Sequence, residues 1–248
     1  MLRDLGNAIA FLTIIPLRWA DNRPIAGLFA FVPLVGLLIG ILLIGLSRLP
    51  LNPSVMAFVV LVAWVVLTGA LHLDGFADAC DGLLATVPPA RRLEIMKDSR
   101  TGAWAVIGLI LLLVGKWIFL ADLLHRGDPI AWWLLAAPIL GRWAIVLAVA
   151  FFPDAPRPDG SRGIGATFRA DLQPLHVVVA SLFTLTLIAG LALLINPWLG
   201  LLLLVPLVTV ALAGRWASQL LGGGLTGDTY GALCELTEWF TLLFVTLL

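Results

Sequence analysis

The chemically suggestive residues gather in three stretches. The first is His72-Leu-Asp74-Gly75-Phe-Ala-Asp78-Ala-Cys80-Asp81-Gly82. If this stretch is helical, Asp74, Asp78 and Asp81 stand at i, i+4 and i+7, within an arc of about 60° at 100° per residue, so three carboxylates share one face. Clustered like charges repel unless a cation joins them, and hard oxygen donors select Mg²⁺, with Mn²⁺ the alternative. A solvated acidic turn at a helix end is the competing reading, disfavoured by apolar Phe76, Ala77 and Ala79 around the aspartates. His72 falls on the opposite side of that helix and reads as a structural hydrogen-bonding residue rather than a metal ligand.

The second stretch, Arg91-Arg92-Leu-Glu94-Ile-Met-Lys97-Asp98-Ser99-Arg100-Thr-Gly102, alternates basic and acidic groups. Lys97 as a point charge and Arg100 as a bidentate fork suit phosphate, and Asp98 suits a metal ligand or a base. Arg91 and Arg92 read as anionic-lipid contacts or topology determinants. The third stretch runs Gly222-Gly223-Gly224-Leu-Thr226-Gly227-Asp228 and continues to Glu235 and Glu238. A glycine-rich turn before a helix exposes backbone N–H groups to an anion, with Asp228 as cap or ligand. No lysine follows the glycines, so this is not a nucleotide P-loop. A flexible hairpin leading into a capped helix is the plainer alternative.

The elements that must position these residues are membrane helices. The chain is 61% hydrophobic and 12% charged, against roughly 25% charged in soluble domains. Mean hydropathy is +1.06. Continuous apolar runs cover 26–47, 55–73, 103–124, 130–152, 175–195, 198–221 and 229–248. Each is long enough to cross about 30 Å of hydrocarbon as a helix, and the lack of alternation argues against a β-barrel. The expected fold is therefore an all-α polytopic membrane protein, a bundle of about seven transmembrane helices in one domain spanning 1–248. The carboxylates at 235 and 238 make the last run the least regular span. Turn residues separate the runs: Pro50 and Pro53, Gly127 and Pro129, Asn196 and Pro197, Gly222 to Gly224.

Lysine and arginine are sharply sided if the runs alternate across the membrane. One side holds Arg3, Arg18, Arg23, Arg91, Arg92, Lys97, Arg100, Arg157, Arg162 and Arg169, whereas the other holds Arg48 and Arg126. Basic residues mark the cytoplasmic side, which places loops 74–102, 153–174 and 222–228 together there as the expected active-site face of a bacterial inner-membrane protein. Lys116, Arg142 and Arg215 fall inside runs, where a charge faces a polar cavity or a partner, and Arg142 or Arg215 is the expected partner of Glu235 and Glu238. Asp4 and Arg18 around the short apolar stretch near the start argue against a signal peptide. With 15 basic and 15 acidic residues the net charge is zero, so no nucleic-acid partner is expected. Cys80 and Cys234 are too few for a thiolate site and read as reduced packing residues.

Two lesser signals complete the reading. Gly-Arg-Trp-Ala occurs at 141–144 and again at 214–217, too short a repeat to establish duplication. The loop from Arg157 to Phe168, rich in glycine, proline and arginine, is either a lid over a phosphorylated ligand or a plain connection.

At these residues the sequence resembles the cobalamin synthase family, the adenosylcobinamide-GDP ribazoletransferases of cobamide assembly. The matching segments are Phe11-Leu-Thr13-Ile-Ile-Pro16, His72-Leu-Asp74-Gly75 with Asp78 and Asp81-Gly82, Met96-Lys97-Asp98-Ser99-Arg100 with Gly102, Gly141-Arg142, and Gly223-Gly224-Leu-Thr226-Gly227-Asp228 through Glu235. Ile14 or Ile15 stands where the family's first motif often has a basic residue. The Asp-Gly-x-x-Ala-Arg opening of CDP-alcohol phosphotransferases is absent.

The resemblance implies that adenosylcobinamide-GDP is attacked by the ribose 3′-hydroxyl of α-ribazole or its 5′-phosphate, giving adenosylcobalamin or its phosphate and releasing GMP. Under that reading Asp74, Asp78 and Asp81 hold metal, while Lys97, Asp98, Arg100, Asp228 and Glu235 are the catalytic candidates. His72, Ser99, Arg142, Arg215, Thr226 and Gly227 are the candidate substrate-binding residues. Besides the two substrates, the expected partner is the lipid bilayer, with a second copy or other cobamide-assembly enzymes as further candidates. The alternative is a transporter of a phosphorylated or corrinoid solute, motivated by the charges within the apolar runs, although transporters tend to bind near the bilayer midplane.

Overall fold

The computed structural model describes residues 2–17, 25–127, 131–157, 160 and 163–248. Arg18, Arg23, Pro129 and Arg162, which enter the charge and turn readings above, lie outside the described residues, as does part of the loop after Arg157. The described residues fold into helices, α1 (Leu2–Leu12), α2 (Val32–Leu46), α3 (Pro53–Leu67), α4 (Leu71–Leu84), α5 (Pro89–Ile95), α6 (Ala103–His125), α7 (Trp133–Phe151), α8 (Ile164–Asp171) and α9 (Pro174–Leu194). A further crossing, Pro197–Leu220, contains α10 (Leu204–Thr209), a π-helical turn at Val210–Gly214 and α11 (Arg215–Leu220). The chain ends in α12 (Gly227–Thr246). It is an all-α polytopic membrane protein.

Each of the seven apolar runs is largely helical, but they are not equal. Among the described residues, four helices are long and apolar enough to cross a membrane, namely α6, α7, α9 and the Pro197–Leu220 crossing, and a fifth results if α3 and α4 are one broken span. α2 and α3, of 15 residues each, rise only about 22 Å. The expected span over 55–73 is corrected: Gly69 and Ala70, with φ of 58° and 55°, end α3 and turn the chain by 89° into α4. α4 has 14 residues, about 21 Å of rise, and carries three aspartates. It is too short to cross on its own and does not prolong α3 in a straight line.

α7 is the central post. Its apolar stretch is 83% buried, against 22% for α6 and 17% for α9, because α2, α12 and α9 pack around it. The outer helices instead present large apolar side chains outward, among them Ile110 and Leu111 on α6 and Leu182 and Leu193 on α9. Such a surface would aggregate in water and is satisfied by lipid.

Two local devices fix the start of α12. Thr226 and Thr229 form a reciprocal cap, the Thr226 N–H donating to Thr229 Oγ1 at 2.8 Å and the Thr229 N–H donating to Thr226 Oγ1 at 3.3 Å. Ahead of them, Gly222 and Gly223 adopt φ of 86° and 113°, where a side chain would be strained. That turn lets Leu225 pair with the chain after α7, its N–H donating to Pro153 O at 2.9 Å while Ala155 N–H donates to Leu225 O at 2.9 Å.

Candidate active site

The three expected loops meet. Asp154 and Leu225 form an isolated parallel bridge, joining loop 153–174 to loop 222–228. Loop 153–174 is partly helical rather than a plain connection, since it contains α8. α4 crosses the start of α12 on a seam of glycines: a Cβ at Gly75 would stand 2.9 Å from Asp228 O, and one at Gly231 would stand 3.1 Å from His72 O. Only a side chain as small as hydrogen permits this approach, and it sets Asp74 and Asp78 of α4 beside Asp228 of α12. Arg157 is near enough for its charge to act on Asp228 as well.

The carboxylates on α4 do not behave alike. Asp74 is exposed at the mouth of a cleft, and Asp78 is half-buried. Burial, followed by the charges of Asp228, Asp74 and Asp81, pushes the Asp78 carboxyl up to about 6. Asp81 is drawn away: its Oδ2 accepts from Gly102 N–H at 2.6 Å and its Oδ1 from Ala105 N–H at 2.9 Å. It caps α6, whose first N–H groups have no partner within the helix. Among the described residues, no group of three His, Cys, Asp or Glu side chains is gathered as a metal centre. Asp74, Asp78 and Asp228 nevertheless suit a divalent cation chemically, as hard oxygen donors that repel one another without one.

The basic loop is also rearranged relative to expectation. Arg92 is buried and donates to Gly82 O at 2.9 Å and Leu83 O at 2.5 Å, closing the last turn of α4. It is a helix cap and not a lipid contact. Asp98 is gripped by Arg100, whose Nη2 lies 2.6 Å from Oδ2 and whose backbone N–H donates to Oδ1 at 3.0 Å. Those bonds hold the Asp98 carboxyl down at about 2, which makes it a poor base near neutral pH. Lys97, Ser99 and Arg100 are exposed beside it.

Glu235 and Glu238 lie deeper on α12. Lys116 of α6 donates to Glu235 Oε2 at 2.6 Å and Glu238 Oε2 at 2.5 Å, while Arg142 of α7 bonds Glu238 Oε1. Lys116 also sits 4.8 Å from the centre of the Trp64 ring. These two cations and two anions form a buried, neutral network that ties α12 to α6 and α7. Glu235 is committed there, so its carboxylate is not disposed as a catalytic base, and Arg142 is a structural partner rather than an open anion site. Arg215 is exposed on α11, away from the carboxylates it was expected to pair with. Lys116 takes that part, brought by the α6–α12 contact. Thr226 is buried by its capping role, whereas Gly227 lines the cleft.

That cleft, of about 200 Å³, opens beside Asp74 and Asp228. His72 and Tyr230 line it, and His72 Nδ1 and the Tyr230 hydroxyl are buried without a hydrogen-bond partner among the described residues. Its other walls are apolar, from Phe11, Phe29, Val32, Ile145 and Phe168. Phe168 meets Phe11 and Phe29 edge to face, with ring centroids 5.8 and 5.4 Å apart. Tyr230 and the phenylalanines were not singled out as site residues from sequence. Phe11 and Tyr230 stand within matched motifs, which was the available signal, whereas Phe29 and Phe168 stand outside them.

Comparison with known proteins decides the family. The pattern described as Cobalamin-5-phosphate synthase matches residues 4–246. The chain belongs to the cobalamin-5-phosphate synthase family. A relative from Roseiflexus sp. (strain RS-1), named adenosylcobinamide-GDP ribazoletransferase, is 41% identical over 98% of this chain and 89% of its own length. Relatives of the same name from Desulforamulus reducens and Herpetosiphon aurantiacus are 39% and 38% identical over 100% of this chain, covering 97% and 98% of their own lengths. No solved structure matches the chain. The match over residues 4–246 includes every segment brought together at the carboxylate cleft, and the transporter alternative gains no support from it.

Proposed function

We propose that the chain is an adenosylcobinamide-GDP ribazoletransferase that joins its corrinoid substrate to α-ribazole, or to α-ribazole 5′-phosphate, at the cleft between α4 and α12. The near full-length identity to relatives of that name carries the reading. The basic residues Arg91, Arg92, Lys97, Arg100, Arg157 and Arg169, read by the positive-inside rule, support a reaction at the cytoplasmic face of the bacterial inner membrane.

In the reaction, the ribose 3′-oxygen forms a bond to the phosphorus nearest cobinamide, and the bond from that phosphorus to the oxygen of GMP breaks. The hydroxyl proton passes to a carboxylate. Asp98 is held by Arg100 and Glu235 by Lys116, which leaves Asp228, beside Asp74 at the cleft mouth, as the acceptor. Phosphoryl-type transfer depends mainly on alignment and charge neutralisation. Mg²⁺, or Mn²⁺ in its place, would be held by Asp74 and Asp78 with Asp228 adjoining, and would supply neutralisation of the diphosphate. Lys97 and Arg157 are the cations that would attract the phosphates to this face.

The test is to incubate detergent-purified protein with adenosylcobinamide-GDP, α-ribazole and Mg²⁺ and to follow products by mass spectrometry. A cobamide and GMP in equal amounts are expected. A folded protein that binds the corrinoid yet forms neither product would overturn the reading.

A further inference from the structure

The phenylalanine-walled cleft is too small and too apolar for most of what the reaction handles. Its volume is about 200 Å³. An apolar cavity of roughly 150 Å³ is enough for benzene, so this one matches a bicyclic ring and not a corrin macrocycle. Guanine would also fit by size, but walls of Phe11, Phe29, Val32 and Ile145 leave only His72, Asp74, Asp228 and Tyr230 of the cleft lining to meet its several polar edge atoms. Benzimidazole makes a smaller demand. Once one nitrogen carries the ribose, a single ring nitrogen remains to accept a hydrogen bond.

We propose that this cleft is the subsite for the benzimidazole base of the incoming nucleoside, with the ribose at its mouth beside Asp74 and Asp228. The inference rests on the transferase reading above and adds which substrate, and which part of it, the cleft takes. Three observations converge. The rings of Phe11, Phe29 and Phe168 form an aromatic wall suited to a flat heterocycle. His72 lines the cleft, is 4% exposed, and carries a buried Nδ1 without a partner among the described residues, so a small rotation of the ring would bring an N–H donor to the free ring nitrogen. The carboxylates stand at the same cleft, so a base held in the apolar part puts the sugar hydroxyls next to a proton acceptor. The corrinoid diphosphate would then meet the ribose at the carboxylates.

Leu71 lines the cleft yet is 40% exposed, so Leu71→Trp narrows it with little disturbance of the core. Val32→Phe fills it from the other wall. In steady-state assays varying each substrate separately, both variants should raise KM for α-ribazole at least tenfold and leave KM for adenosylcobinamide-GDP within twofold. A rise confined to the corrinoid substrate, or no change in either KM, overturns the subsite. If the unmodified protein forms no cobamide, the transferase reading fails, and calorimetric binding of α-ribazole alone decides the subsite. Binding weakened at least tenfold by Leu71→Trp supports it. Equal binding, or none to the unmodified protein, overturns it.

Discussion

α12 carries two acidic regions one helical stretch apart, and they are handled in opposite ways. Deep in the bundle, Glu235 and Glu238 are matched by Lys116 and Arg142, so charge is cancelled inside the protein. At the end of the bundle, Asp228 stands beside Asp74 and Asp78, and burial, followed by the neighbouring carboxylate charges, raises Asp78. The first arrangement is complete in itself and holds helices. The second is proposed to be completed by a divalent cation, which would separate a chemical cluster from a structural one even though both are built from carboxylates.

The contrast can be broken most forcefully at the buried network. Removing one member of a desolvated ion group leaves its partner unpaired, at a cost of roughly 3–5 kcal/mol. Glu238→Ala should therefore lower the thermal unfolding temperature in detergent sharply and reduce the folded yield, with activity lost in proportion to folded protein. A stable, fully folded Glu238→Ala protein would place the network outside the structural role.

The complementary change is Asp74→Asn, which should leave the unfolding temperature unchanged and lower turnover by about 10²–10³-fold, the scale on which a lost electrostatic contact to reacting groups is felt. Near-normal turnover in that variant would remove the carboxylate cluster from the chemistry.

A smaller effect follows from pH. A metal ligand must be deprotonated, and Asp78 titrates at about 6 rather than below 4. Metal binding should strengthen as pH rises through 6 and level off above it. Lowering pH from 7 to 5 should weaken Mn²⁺ affinity by about tenfold in a metal titration, since the ionised fraction of such a group falls by that factor. In Asp78→Asn the dependence should be shallower.

The smallest effect separates Asp81 from its neighbours. As a cap on α6, Asp81→Ala should cost about 1 kcal/mol of stability, and Asp81→Asn less, because the amide oxygen still accepts a bond. Turnover per folded molecule should stay within a few fold in Asp81→Asn. A loss as large as that of Asp74→Asn would return Asp81 to the metal cluster.

Much of this was legible from sequence because it depends on local pattern. Apolar runs of the right length announce helices in lipid, and the spacing of Asp74, Asp78 and Asp81 places them on one helical face wherever that helix goes. What escaped depends on contacts between distant segments. The turn at Gly69 and Ala70 is hidden in an apolar run, since neither residue type demands a left-handed backbone there. Asp81 looks equivalent to Asp74 until the start of α6 arrives beside it. Gly-Arg-Trp-Ala is the clearest case: Arg142 is fully buried on the central α7, whereas Arg215, in the identical tetrapeptide, is exposed on the peripheral α11. Burial is set by neighbours that a short motif does not encode.

The central claim is that the outer carboxylates work through a divalent cation while the buried network does not. Its most direct test is cobamide formation from adenosylcobinamide-GDP and α-ribazole, titrated with Mg²⁺ after exhaustive EDTA treatment, for the unmodified protein and Asp74→Asn. The account predicts no turnover without metal, saturable recovery as Mg²⁺ is restored, and little recovery in Asp74→Asn although it is folded. Undiminished turnover by the metal-free, unmodified protein would contradict it.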